Sequence, residues 1–466
     1  MRTIHLVGIA GTGMGSFAGL LRRAGYEVRG SDENVYPPMS DKLAAWGIDV
    51  RTPYRPENLD PAPDLVIIGN VIRRTNPEAQ AVVERGLTYT SFPKALGDLF
   101  LSKQHSVVVA GTHGKTTTTS LIAWLLTSAG RDPSLLVGGV PANFNEGFRL
   151  GQGAHFVVEG DEYDTAYFDK VPKFLHYHPR TLLVTSLEFD HADIYPNVEA
   201  IEREFEKVIA LVPHDGLIIA CASQPRVPPR LAAAKAPCVT YSARTGVDAT
   251  WRAEEIELSP EGARFTVRRG REIIGRFFFP MSGLYNIENA LGATAFATSA
   301  GLTADEIAEG FASFRGVARR QTVRFEVDGV RVIDDFAHHP TAVKETLEGL
   351  RARYPQGRLW AIFEPRSATS SRSFFQREYA EAFDAADEVI IAGVGRPEIP
   401  AAERLDIERL AADITARGPR GTCIAQVDDI VARLAREARP SDTLVLMSNG
   451  GFGGIYGKLE GALRAR

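Results

Sequence analysis

Short aliphatic runs alternate with stretches of helical periodicity along most of this chain. Ile4 to Val7, Glu27 to Gly30 and Leu65 to Ile68 read as strands, separated by patterns such as Gly15 to Ala24 whose apolar positions recur at helical spacing. This alternation predicts βαβ winding. A second series runs through Ser106 to Ala110, Phe156 to Val158 and Thr181 to Val184, apolar at nearly every position, as strands of a parallel sheet covered on both faces are. A tract rich in Pro and Ala follows at Arg226 to Pro237. Arg264 to Arg268 and Glu272 to Phe279 then alternate apolar and polar residues, which predicts a small antiparallel insertion. After a helical run from Asn289 to Ala300 and a linker at Phe314 to Val317, a third series places strands at Val330 to Ile333, Leu359 to Phe363, Glu388 to Ala392 and Thr443 to Met447. The expected class is α/β, divided into three domains at residues 1–101, 102–317 and 318–466. A chain of 466 residues agrees with that division, since domains average roughly 150 residues.

Composition narrows the function more than the fold. With 44% hydrophobic and 24% charged residues the chain is ordinary globular protein, and its net charge of -5 excludes a general nucleic-acid binder. Anionic ligands must therefore be held by local groups. Cys221, Cys238 and Cys423 share no metal-like spacing and fit a reducing compartment. No hydrophobic leader precedes the first strand, and no apolar run approaches the roughly 18 residues of a membrane span, so a cytoplasmic protein without membrane attachment is expected.

The chemistry concentrates at strand ends. Gly111-Thr112-His113-Gly114-Lys115-Thr116-Thr117 follows one strand and opens a helix. Such a loop turns backbone N–H groups toward phosphate, Lys115 neutralises phosphate oxygens and Thr116 can ligate magnesium. Val109 stands where a strict Walker A sequence has its first glycine. Glu159 ends the next strand as a second magnesium ligand, and His191, at the end of another, is either a further ligand or a capped core residue. Gly11-Thr12-Gly13-Met14 forms a glycine loop after the first strand, with Asp32 near the end of the second. That pair suits the diphosphate and ribose of a nucleotide, although Ser16 breaks the dinucleotide pattern and a loop serving packing alone stays open. Asn286 and Asn289 share one helix face, as adenine contacts or as a cap. Arg320 and Asp335 add charge at a further strand end, for phosphoryl transfer and a ribose hydroxyl or as surface ion pairs.

In this order, Gly111 to Thr116, Glu159 to Glu162, Asp190-His191, Asn286 with Asn289, and Asp335 to Pro340 resemble the Mur ligase family over nearly the whole chain. The resemblance implies a Rossmann-like N-terminal domain for a UDP-sugar, a central P-loop ATPase and a Rossmann-like C-terminal domain that brings the amine, with closure between them. It implies ATP and Mg2+ as cofactors, and Lys115, His191 and Arg320 as catalytic groups. Gly11, Thr12, Gly13, Met14, Asp32 and Asn70 would take the UDP-sugar. His338, Arg366, Ser367 and Asn449 would grip a peptide. Within the family, Gly69 to Ile72, Glu159 to Lys170, Phe363 to Ser367 and Ser448 to Ile455 look like the member that joins UDP-N-acetylmuramate to L-alanyl-γ-D-glutamyl-meso-diaminopimelate in peptidoglycan recycling. The alternative within the family adds L-alanine alone. The alternative from another class, an NAD-dependent oxidoreductase, leaves Lys115, Glu159 and His191 without work. Tyr285 stands where the family usually has His, Glu206-Lys207 supplies no assigned carboxylated lysine, and a monomer or weak homodimer is expected.

Overall fold

The computed structural model describes residues 2–396 and 398–466. Packing divides the chain into two compact units, one of Met1–Glu188, Val198–Arg252 and Asn289–Arg315, the other of Phe189–Asn197, Ala253–Glu288 and Gly316–Arg466. These lines differ from the expected domain boundaries: residues on both sides of 101 lie in the first unit, and 189–197 and 253–288 lie in the second.

The first unit holds a five-stranded parallel sheet in the order Asp49–Arg51, Glu27–Ser31, Thr3–Val7, Leu65–Ile68, Tyr89–Ser91. Leu65–Ile68 is apolar and buried at every position, as a strand of a parallel sheet covered on both faces is, whereas Thr3–Val7 buries the polar His5 among its apolar residues. A second parallel series runs Cys238–Ser242, Leu217–Cys221, Thr181–Val184, His105–Ala110, His155–Gly160, Ser134–Leu136, closed by the antiparallel Phe148–Arg149. Helix Lys115–Ser128 leaves the end of His105–Ala110, and almost every side chain of its first three turns is buried.

The second unit carries the antiparallel pair Gly262–Arg269 and Glu272–Phe279, as their alternation predicts. Its main sheet runs Thr322–Val327, Val330–Asp335, Thr443–Met447, Leu359–Phe363, Glu388–Ile391, Arg420–Cys423, antiparallel only at the first pair. Helix Leu284–Ser299 begins five residues before the expected start, so Asn286 and Asn289 lie inside its first turns. Among the described residues no helix is long and apolar enough to cross a membrane.

Candidate functional site

The first glycine loop forms because Gly8, at φ 86°, turns the chain sharply after the strand, and its N–H donates to Ser31 O. Gly11 caps helix Thr12–Arg23, leaving Gly11, Thr12 and Gly13 exposed. Met14 is buried, its side chain packed against Gly69. Asp32 accepts from Ala10 N at 2.9 Å, from Glu33 N and Asn34 N, and from the Tyr54 hydroxyl at 3.3 Å. Asp32 and Tyr54 line a cleft of about 410 Å3 together with Glu33, Asn34, Val71 to Arg73 and Thr75 to Pro77. Burial and the neighbouring Asp32 carboxylate push the Tyr54 pKa up, so its hydroxyl keeps its proton. Asn70 is not in the lining; its successors Val71, Ile72 and Arg73 are.

The phosphate loop is braced from the neighbouring strand end. Ser186 Oγ accepts from His113 N at 2.7 Å, Thr185 Oγ1 donates to His113 O, and Thr112 Oγ1 accepts from Glu188 N at 2.8 Å. His113 Nε2 lies 2.7 Å from Glu188 Oε2. Gly114, at φ 79°, is the N-cap of helix Lys115–Ser128, and a Cβ there would come within 2.5 Å of Asn289 Oδ1. Only glycine fits both demands. Lys115 Nζ donates to Gly111 O and, at 2.8 Å, to Glu162 Oε2. Burial opposes its charge, but Glu162, Asp161 and Glu159 outweigh burial and raise its pKa, so Lys115 is an ammonium at any physiological pH.

Thr116 Oγ1 donates to Glu159 Oε1 at 2.9 Å, and Glu159 Oε2 accepts from Gly138 N at 2.9 Å. Burial and Asp161 raise the Glu159 pKa against the opposing pull of Lys115. A hydroxyl and a carboxylate side by side, both oxygen donors beside a phosphate loop, fit magnesium, which takes few protein ligands and completes its shell with phosphate and water. In helix Leu284–Ser299, Asn286 Oδ1 and Asn289 Nδ2 are buried with no hydrogen-bond partner. Asn286 Nδ2 donates to Ser282 O at 2.7 Å and caps nothing. An unpaired acceptor and an unpaired donor one turn apart match the donor and acceptor edge of adenine, and leaving them unpaired costs about 1–3 kcal/mol each.

In the second unit, Asp190 accepts from His191 N at 2.7 Å and faces His338 Nε2 at 3.5 Å. Burial would raise its pKa, but His338, His191 and His339 hold it well below the ordinary carboxylate value. His191 has φ 56°, outside the usual range of a histidine. Arg320 lies over the Phe336 ring at 5.0 Å. Both oxygens of Asp335 are taken, Oδ2 by Gln321 N and Oδ1 by Ala337 N, so this carboxylate braces the turn at Arg319 to Gln321. Burial, opposed chiefly by Arg320, raises its pKa.

The ends of Leu359–Phe363 and Thr443–Met447, paired through Phe363 and Met447, bring Arg366 beside Gly450. Ser448 Oγ donates to Glu364, Arg366 lies 3.6 Å from Glu364, and Asn449 Oδ1 is buried without a partner. The Ser367 hydroxyl serves its own turn instead, paired with Ser370 Oγ at 2.8 Å. Sequence reading quotes Glu162 within the Glu159 to Glu162 motif without giving it a role, and does not single out Tyr54 or Arg73. Glu162 stands in the acidic run after Glu159, whereas nothing local marks the other two.

Three family profiles match the chain: the Mur ligase family, catalytic domain over residues 3–104, the Mur ligase middle domain over 109–297, and the Mur ligase, glutamate ligase domain over 318–450. The chain is 39% identical to the UDP-N-acetylmuramate--L-alanyl-gamma-D-glutamyl-meso-2,6-diaminoheptandioate ligase of Haemophilus influenzae, with all of both chains covered. It is 35% identical to a UDP-N-acetylmuramate--L-alanine ligase of Anaeromyxobacter over 99% of this chain and 98% of that one. Among solved structures it is similar to a murein peptide ligase of Psychrobacter arcticus, at TM-score 0.73 and 36% identity over 99% of both chains.

Proposed function

The chain belongs to the Mur ligase family, and from that premise we propose that it joins UDP-N-acetylmuramate to L-alanyl-γ-D-glutamyl-meso-diaminopimelate in peptidoglycan recycling. It is an ADP-forming carbon–nitrogen ligase. The observation that carries the choice of amine is 39% identity over 98–100% of the chain to two ligases named for that tripeptide, against 32–36% for relatives named for L-alanine.

In the proposed reaction a carboxylate oxygen of UDP-N-acetylmuramate attacks the γ-phosphorus of ATP, the bond to the bridging oxygen breaks, and ADP leaves. The tripeptide α-amine then attacks the acyl carbon, the bond to phosphate breaks, and phosphate departs with one oxygen of the original carboxylate. When bound, Mg2+ offsets charge on the phosphate oxygens. Lys115 exchanges Glu162 for a phosphate oxygen and keeps its proton while doing so. Thr116 and Glu159 hold the metal, Asn286 and Asn289 read adenine, and the exposed N–H groups at Gly11 to Gly13, with Asp32, hold the sugar nucleotide. Arg320 and His191 are assigned, from family membership, to offset charge at the transferring phosphoryl group. Arg366 and Asn449 supply a cation and an acceptor for the tripeptide, and His338 is assigned to the same peptide-binding role. The protein acts in the cytoplasm.

Carboxyl-18O-labelled UDP-N-acetylmuramate tests the route. With tripeptide present, label in inorganic phosphate and a product of the combined mass are expected. Unlabelled phosphate would discard the acyl-phosphate, and ADP release that needs neither partner substrate would discard the ligase reading.

A further inference from the structure

Glu78 is fully buried, yet it is a carboxylate in the first turn of helix Pro77–Glu84, directly behind the cleft. Four donors surround it. Oε2 lies 3.0 Å from His5 Nε2 and 2.5 Å from Ser31 Oγ, while Oε1 accepts from Asn58 Nδ2 at 2.7 Å and Arg55 N at 3.1 Å. Burial alone would raise its pKa, but the bonds from His5, Ser31 and Asn58 hold it below the usual carboxylate value.

Three of these donors come from the segments that build the cleft, while His5 comes from the central strand Thr3–Val7. Ser31 immediately precedes Asp32, Glu33 and Asn34. Arg55 immediately follows Tyr54, and Asn58 also donates to Pro53 O on its other side at 2.9 Å. Thr75, Asn76 and Pro77 lead into Glu78 itself. All three segments line the cleft, whereas Glu78 is absent from the lining. The Tyr54 hydroxyl reaches Asp32 at 3.3 Å, a contact that depends on the spacing of two of those walls.

We propose that Glu78 is a positioning residue for the sugar nucleotide: it never touches the ligand, but it ties the three wall segments together and so sets affinity for UDP-N-acetylmuramate without affecting ATP. The inference rests on the reading that this cleft takes the UDP-sugar. A glutamine at 78 would turn an N–H2 donor toward a set of donors, and the walls would separate at the unmatched pair.

The test measures equilibrium binding of UDP-N-acetylmuramate and, separately, of ATP with magnesium to the full chain, alongside kcat at saturation. For Glu78→Gln the sugar-nucleotide Kd should rise about tenfold or more, the size expected of an unmatched buried polar pair. ATP affinity and saturated kcat should stay within about twofold, less than half a kcal/mol. Asn58→Ala and Ser31→Ala, each removing one tie, should weaken the sugar nucleotide by smaller factors and keep the test open should Glu78→Gln fold poorly. Unchanged sugar-nucleotide affinity in all three variants would overturn the inference. So would parallel loss of both ligands, which marks general disruption. Failure of the wild type to bind UDP-N-acetylmuramate would instead overturn the assignment of the cleft, and the inference with it.

Discussion

The cleft at the carboxyl edge of the first sheet and the phosphate loop lie in one compact unit, yet they treat buried charge in opposite ways. Glu78 meets four donors, and both of its carboxylate oxygens are paired. Lys115 instead has three carboxylates in its surroundings, Glu162, Asp161 and Glu159, and Asn289 nearby keeps an amide hydrogen donor buried and unpaired. The carboxylate of the first arrangement is satisfied without substrate and holds the shape of the cleft. The second carries a standing cost that a triphosphate, a metal and a purine would remove, so its residues should act on binding and rate more than on folding.

The largest effect that would break this contrast is at Lys115. Lys115→Ala should lower kcat for ADP release by roughly 10³, the scale of a lost charge stabiliser, while sugar-nucleotide binding is retained; equal loss of both would merge the two regions. Next is Glu159→Gln, which should raise the magnesium concentration needed for half-maximal rate by roughly 10–100-fold, read from magnesium titrations at fixed ATP. Asn289→Leu should raise the KM for ATP by about tenfold and leave the thermal midpoint unchanged or higher, because the residue's buried donor has no partner to lose. A falling midpoint would show that the asparagine is structural.

The smallest effect sharpens the other side. Glu78 has a folded-state pKa below its ordinary value of 4.5, so its contribution to stability is fully present above that pH and is lost as pH falls through the depressed value. Urea unfolding of wild type and Glu78→Gln should therefore differ by a constant amount above pH 4.5 and converge below it. A gap that widens with acid would reverse the sign.

Much of the architecture was legible because buried parallel strands are apolar without interruption: Leu65–Ile68, Thr181–Val184 and Thr443–Met447 coincide with their aliphatic runs. The start of helix Leu284–Ser299 was not, because Asn286, Glu288 and Asn289 are polar residues buried at its first turns and break the apolar period. Chemistry divides the same way. The loop from Gly111 to Thr117 is local in sequence, so its order of residues announces it. Glu162 meets Lys115 across 47 residues and Glu78 meets His5 across 73, and no spacing rule connects such pairs. The two compact units were also hidden, since contact between distant segments decides them.

The most direct test of the account compares L-alanine with L-alanyl-γ-D-glutamyl-meso-diaminopimelate as the amine, with UDP-N-acetylmuramate, magnesium and ATP, following ADP release and the product mass. The account predicts turnover with the tripeptide and little with L-alanine. Preference for free L-alanine would contradict it.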